Sequence, residues 1–267
     1  MKTALDKIYE QYNLPEFVHP DPLEVLYSYN ELRDREIVAL LASSLAYGNV
    51  KQILKSLAIV LGCLGQKPYG YLQTHSEDSI KDTFRGFKHR FTTDAELTAL
   101  LIGIKRIAEV FGDLKTCFLS LYSPDHETVL PALSQFVEML RSQMTDTPSA
   151  SSLLPDLKKG SACKRLHLFM RWMVRCDEVD PGGWHDDISS SKLIVPLDVH
   201  MHRICHTLKL TDLKQPSLRC ALEVTEAFRR IIPQDPVRYD FSLTRFGIRK
   251  LCISLEDIFG KGVVRVV

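Results

Sequence analysis

The sequence predicts an all-α protein. Apolar residues recur with the 3.6-residue period of a helix along most of the chain, and no segment shows the alternation of a half-buried strand. Helix-start and helix-stop residues divide these periodic segments. With 267 residues, of which 45% are hydrophobic and 25% charged, the chain is long enough for two helical lobes with a buried core.

Two capping patterns mark helix starts in the first half of the chain. Asp21-Pro22 pairs a capping residue with proline at the first helical position, and Thr93-x-x-Glu96 has the spacing of a capping box. Asp34 could cap a helix that Gly48 ends. The helices predicted in this half cover about 34–47, 49–61, 93–111 and 126–142, and a Ser-, Thr- and Pro-rich loop follows over 143–156.

The second half predicts helices near 162–176, 199–210, 217–231 and 236–253. Asp198 precedes the second of these at the N-cap position, where its carboxylate would accept backbone N–H bonds. Capping is compatible with a catalytic role, because it keeps the carboxylate ionised.

Basic residues concentrate between Leu157 and Cys176, where there are six lysines and arginines and no acid, although the formal net charge of the chain is only +1. On a helix, Lys164, Arg171 and Arg175 share one face. The small residues Gly160-Ser161-Ala162 come just before, and could let a phosphate approach the first helical turn. A cationic face is also typical of an ordinary solvated helix, so both interpretations stay open.

Three blocks of this sequence resemble the helix-hairpin-helix DNA glycosylases such as endonuclease III. The segment 160–166 resembles the run that ends on their catalytic lysine, here Lys164. The segment 196–200 resembles the block that holds their catalytic aspartate, here Asp198. The segment 41–50 is similar to the helix–turn–helix that opens their helical barrel, and the three blocks occur in the family's order.

The resemblance implies a two-lobed helical fold with a cleft between the lobes. Residues 36–175 would form the barrel lobe ending in the hairpin-helix segment, and 1–35 with 176–267 the second lobe, which carries Asp198. Asn49 would fill the gap left by an extruded base. The residues implied to bind the DNA backbone are Gly160, Ser161, Ala162, Arg165, Arg171 and Arg175.

The implied function is base-excision repair: a glycosylase and AP lyase that acts on double-stranded DNA through a Lys164 Schiff base. Lys164 and Asp198 are 34 positions apart, which is longer than in most members of the family and more like its archaeal 8-oxoguanine enzymes, so an oxidised base of that kind is expected. The candidate base-stacking aromatics are Trp172, Trp184 and Phe246. Ala162 departs from the pattern, because the family has glycine there.

Two alternatives remain open. A non-catalytic DNA-binding module on the same scaffold would fit the altered hairpin and the near-neutral charge. A metal-dependent hydrolase would fit Asp198, His202 and His206, which stand at i, i+4 and i+8. His167 and His185-Asp186 also follow loosely the ligand order of HD-type phosphohydrolases.

The composition sets the remaining expectations. Seven cysteines, an odd number without C-x-x-C spacing, predict reduced thiols in a cytoplasmic protein, and no four-cysteine cluster for an iron–sulfur centre is present. No apolar run is long enough to span a membrane. We expect no cofactor and no bound metal, and a monomer.

Overall fold

The computed structural model describes residues 1–144 and 152–248, with backbone alone for 246–248. Helices dominate these residues, so the predicted all-α class is confirmed. In chain order they are α1 (Lys2–Tyr12), α2 (Leu32–Leu45), α3 (Val50–Leu64), α4 (Pro68–Thr74), α5 (Glu77–Thr83), α6 (Asp94–Phe111), α7 (Leu114–Leu121), α8 (Leu130–Gln143), α9 (Lys164–Val174), α10 (Val199–Thr207), α11 (Leu218–Ile231) and α12 (Asp240–Ile248). Short 3-10 helices cover Pro15–Phe17, Pro22–Ser28, Leu157–Lys159 and Ser190–Lys192.

A small antiparallel hairpin is the element that the sequence pattern did not predict. It joins β1 (Lys88–His89) to β2 (Thr92–Thr93), with Lys88 opposite Thr93 and His89 opposite Thr92. Strands of this length are too short to show a recognisable alternation.

The chain divides into two compact units, one over Pro20–Asp156 and one formed by Met1–His19 with the chain from Leu157 onward. This boundary differs from the predicted one at 175, because α9 belongs with the C-terminal helices. Its carbonyl oxygens at Trp172 and Met173 accept hydrogen bonds from the N–H groups of Gly182 and Trp184, at 3.1 and 2.8 Å.

The Pro20–Asp156 unit is built around α2 and α6, whose side chains are buried along most of their length. α6 packs on α5, α7 and α8, while α2 packs on α3 and α4. Gly103 lets α8 approach α6 closely, since a Cβ atom there would lie 3.2 Å from the Leu140 carbonyl oxygen. The predicted N-cap at Asp21 and capping box at Thr93 are both present, and Glu24 completes a capping box at Asp21 as well.

Asp34 does not cap its own helix, as the sequence had suggested. α2 begins earlier, at Leu32, and the buried Asp34 carboxylate instead accepts the Tyr69 N–H at 2.7 Å, at the start of α4. Glu36 acts in the same way on α7, accepting the Leu114 N–H at 2.6 Å. Two acids of α2 thus satisfy donors at the starts of neighbouring helices, which fixes those helices in place.

Two predicted helix starts lie too early. α8 begins at Leu130 rather than near 126, with proline in its first turn, where a missing N–H costs nothing. α12 begins at Asp240 rather than at 236, and the predicted extension over 249–253 lies outside the described residues.

The second unit brings α1 together with helices that follow residue 157. α1 packs against α12, and α12 also packs against α10. The Tyr239 hydroxyl donates to Asp6 at 2.7 Å, and the Tyr9 hydroxyl donates to Asp177 at 2.9 Å. Within the described part of the chain, no helix combines the length and apolar composition needed to cross a membrane.

Candidate active site

Lys164 and Asp198, which the sequence paired, lie side by side in the second unit. The Lys164 Nζ atom is 2.6 Å from Asp198 Oδ2, a charge-assisted hydrogen bond. Lys164 is the first residue of α9, and Asp198 is the N-cap of α10. Their side chains are 35% and 22% exposed, so solvent or a ligand can reach both groups.

The Asp198 carboxylate is held ionised from two sides. Its Oδ1 atom accepts the Met201 N–H at 2.8 Å, which confirms the predicted N-cap. Burial raises the pKa of Asp198, but the Lys164 charge and hydrogen bond and the Met201 N–H outweigh it, so the pKa lies below the ordinary value. The site therefore presents a carboxylate in direct contact with the Lys164 ammonium group.

The segment before Lys164 turns sharply. Gly160 has φ +76°, and its carbonyl oxygen accepts the Leu218 N–H at 2.9 Å, which anchors the turn to α11. Cys163 adopts a left-handed conformation, with φ +43°, as the N-cap of α9. Ser161 is exposed whereas Ala162 is buried, so of these two implied DNA contacts Ser161 alone has an accessible side chain. Arg165 is half-buried.

Arg171 and Arg175 do not form the exposed cationic face that the sequence predicts for α9. Both side chains are 4% exposed and bind aspartates in the interior. Arg171 contacts Asp180 at 2.9 Å and Asp240 at 2.5 Å. Arg175 contacts Asp180, and also Asp177 and Asp235, at 2.7 and 2.9 Å.

Burial and pairing act in opposite directions on this Arg–Asp network. Burial alone would lower the pKa of the Arg171 and Arg175 guanidinium groups, but the facing carboxylates raise it above the usual value. For the carboxyl group of Asp177 the signs are reversed: burial raises the pKa, whereas Arg175 and backbone N–H donors lower it to about 2. Asp240 and Asp235 behave differently: burial raises the pKa of Asp240 despite the opposing charges of Arg171 and Lys164, and that of Asp235 despite Arg175.

The two tryptophans proposed for a base pocket belong to the core. Trp172 and Trp184 are 1% and 0% exposed, and the Trp184 ring packs edge-on against Phe169. They are therefore unavailable for stacking on a base in this conformation. The Phe246 side chain lies outside the described residues.

Asn49 lies in the Pro20–Asp156 unit, where it is exposed. It is the N-cap of α3, and its side-chain oxygen accepts the Lys51 N–H at 2.9 Å. Gly48 precedes it with φ +98°, a conformation that glycine adopts without strain. The preceding helix ends at Leu45, three residues before the predicted stop.

The histidines of the metal-hydrolase alternative do not form a ligand set. Among the described residues, no group of three or more His, Cys, Asp or Glu side chains is arranged to hold a metal ion. The His202 Nε2 atom bonds the Leu213 carbonyl oxygen at 2.8 Å, and His185 is exposed in a loop. His167 is buried, and burial lowers its pKa to about 4.

A family model described as "Protein of unknown function (DUF2400)" matches residues 21–249, most of the chain. The chain belongs to this family. No curated protein and no solved structure matches it. The matched region of this DUF2400 chain includes Lys164 and Asp198, and it begins after α1.

The acidic half of the buried network in this DUF2400 chain is what sequence reasoning missed. Asp177 and Asp180 follow α9 directly, and Asp235 and Asp240 lie near the start of α12. The near-zero net charge was the available signal, because it requires acids elsewhere to offset the basic segment 157–176.

Proposed function

We propose that this protein is a DNA-repair glycosylase with AP-lyase activity, in which Lys164 is the nucleophile and Asp198 its acid–base partner. One observation carries the proposal: the Lys164 Nζ atom lies 2.6 Å from Asp198 Oδ2 although the two residues are 34 positions apart. They are also the residues that the glycosylase resemblance assigns to catalysis. Their partial exposure leaves room for a substrate atom at the pair.

The chemistry follows from the contact between the two groups. Before attack, the Lys164 ammonium must lose a proton, and the Asp198 carboxylate is in hydrogen-bond contact to accept it. As the bond between the base and the sugar breaks, Asp198 gives this proton to the departing base, and its regained negative charge favours the positively charged sugar. The departing base takes the electron pair of the broken bond, the neutral amine bonds to the anomeric carbon, and the nitrogen then releases its extra proton to the Asp198 carboxylate.

The resulting adduct opens to a Schiff base between Lys164 and the sugar. Elimination of the 3′ phosphate from this Schiff base would cut the strand, and hydrolysis would release the enzyme. The target base must leave the duplex before the amine can reach its sugar. An oxidised purine such as 8-oxoguanine is the proposed target.

Borohydride trapping tests the proposal, because it reduces a Schiff base to a stable crosslink. The full chain would be incubated with duplexes that carry 8-oxoguanine, an oxidised pyrimidine, uracil or an abasic site. We expect a crosslink with at least one of them, and its loss in Lys164→Gln. Lys159→Gln is the matched control, since Lys159 is exposed and close in sequence but outside the pair.

Asp198→Asn separates the two roles. Asparagine still caps α10, so the fold is retained, but it cannot accept the ammonium proton. We expect base excision to be lost while folding is unchanged. Duplex binding without a crosslink to any substrate would instead favour the non-catalytic DNA-binding module.

A further inference from the structure

The β1–β2 hairpin presents one large apolar side chain to solvent. Its turn consists of Arg90 and Phe91, between the paired residues His89 and Thr92. Phe91 is 77% exposed, the highest value among the large hydrophobic residues that the structure describes as exposed. The Arg90 guanidinium lies 5.6 Å from the centre of the Phe91 ring, within range of a cation–π contact.

The hairpin is fixed to the turn between α2 and α3. The Tyr47 hydroxyl contacts the His89 carbonyl oxygen at 2.9 Å and the Thr92 hydroxyl at 2.6 Å. On the other side, the His89 ring contacts the Ser56 hydroxyl of α3 at 2.9 Å. These hydrogen bonds fix the hairpin in place, so that its turn presents Phe91 to solvent in a defined position.

Arg90 adopts an unfavourable backbone conformation at the tip, with φ +52°. Glycine is the favoured residue for a positive φ in a two-residue hairpin turn, so arginine at this position is strained. Its side chain lies over Gly48, where a Cβ atom would come within 2.5 Å of Arg90 Nη1. The chain thus keeps a strained arginine beside an exposed phenylalanine.

The surface around Phe91 is positively charged. The two segments that meet here, 47–64 and 85–93, contain no acid, although the whole chain has a formal net charge of only +1. Their basic residues, all of them exposed, are Lys51, Lys55, Arg85, Lys88 and Arg90. Two acids flank these segments: Asp82 pairs with Arg85, and the Asp94 carboxylate accepts the Gly86 N–H at 2.6 Å. The net charge of the surface stays positive and favours a polyanion.

We propose that the hairpin and the first half of α3 form a docking surface for duplex DNA, in which Phe91 inserts between stacked bases. A single protruding apolar side chain fits insertion at a bent base step. Single-strand binding would favour a row of aromatic platforms instead. The choice of DNA rests on the proposed function, but the surface itself does not involve Lys164.

The first test measures binding of the full chain to an undamaged fluorescein-labelled duplex by anisotropy. We expect Phe91→Ala to weaken binding about tenfold, the effect of losing one base–aromatic contact. Val110→Ala is the matched control, because Val110 is 73% exposed on α6, next to Glu109, and should bind like the parent. Equal affinities for Phe91→Ala and the parent would overturn the proposal.

The second test detects insertion itself. A duplex with 2-aminopurine should fluoresce more strongly when the parent chain unstacks the base, and Phe91→Ala should abolish the rise while Phe91→Leu restores part of it. Lys51→Gln and Lys88→Gln should each reduce the slope of log affinity against log salt by about one unit, unlike Lys67→Gln. Unchanged fluorescence on binding would overturn the insertion.

The outcomes separate this inference from the proposed function. Phe91-dependent duplex binding that persists in Lys164→Gln, without any Schiff-base crosslink, supports the surface and contradicts the enzyme. A Schiff-base crosslink together with duplex binding that does not depend on Phe91 supports the enzyme and contradicts the surface. Phe91-dependent binding to anionic lipid vesicles or to single-stranded DNA, with none to duplex DNA, would overturn the assignment of the partner.

Discussion

The two ends of α9 carry the same kind of side chain and use it in opposite ways. At the start of the helix, Lys164 pairs with one carboxylate, Asp198, and remains 35% exposed. Two turns later, Arg171 is 4% exposed and contacts two carboxylates, Asp180 and Asp240. Both cations lie on one face of one helix, so the position of the acids around them makes the difference.

The comparison of the two ends shows which charged side chain a ligand could engage. A buried ion pair is costly to desolvate, and removing one partner leaves an uncompensated charge in the interior. A partly exposed pair contributes little to stability, so its members can be changed or engaged by a ligand at small cost. The Arg171 end therefore holds the unit together, while the Lys164 end is free to react.

The largest expected effect is that of breaking the buried end. Arg171→Met should lower the free energy of unfolding by about 3–5 kcal/mol, because Asp180 and Asp240 lose a buried partner. Lys164→Met, on the same helix face, should cost about 1 kcal/mol or less. Urea unfolding of the parent and both variants measures this, and equal losses in the two variants would contradict the contrast between the ends.

A second effect concerns the middle of the helix, where buried His167 has a pKa lowered to about 4. Between that value and its unfolded pKa near 6.5, the unfolded chain binds more protons, so stability falls as the pH falls. The contribution is fully present above pH 6.5, and about 3 kcal/mol of it is lost by pH 4. Urea unfolding at several pH values should show a slope that His167→Leu reduces; an unchanged slope would show that His167 does not cause it.

The smallest effect separates capping from catalysis at the exposed end. Asp198→Ala should lower the free energy of unfolding by about 1 kcal/mol, because the Met201 N–H loses its acceptor, whereas Asp198→Asn keeps that bond. Thermal unfolding compares the two variants. Both should lose base excision, and excision by either at the parent rate would contradict the proposed role of the carboxylate.

The sequence predicted the features that depend on nearby residues. The helical class, the capping box at Thr93 and the N-caps at Asp21 and Asp198 follow from local spacing, and all are present. Lys164 and Asp198 were paired through a family resemblance, and the structure brings them into contact. Their catalytic use stays a prediction.

What the sequence could not predict depends on distant partners. Lys164 and the two arginines do lie on one face of α9, as helical periodicity predicts. Periodicity cannot show, however, that acids 9 and 69 positions away from Arg171 pair with it and help to bury this part of the face. The β1–β2 hairpin was not predicted for a different reason: its turn lacks the glycine or asparagine that usually marks a hairpin turn. Trp172 and Trp184, predicted as base-stacking residues, are buried instead, because large apolar side chains usually pack into the core.

The hydrogen bond between Tyr239 and Asp6 spans 233 residues of chain. During synthesis, α1 leaves the ribosome before the other described helices, whereas its packing partner α12 leaves it after them. The intervening Pro20–Asp156 unit is continuous in sequence, so all of its residues have emerged before those partners are made. Although α1 is translated before the Pro20–Asp156 unit, it can consequently reach its native position only after that unit and α12 have been translated.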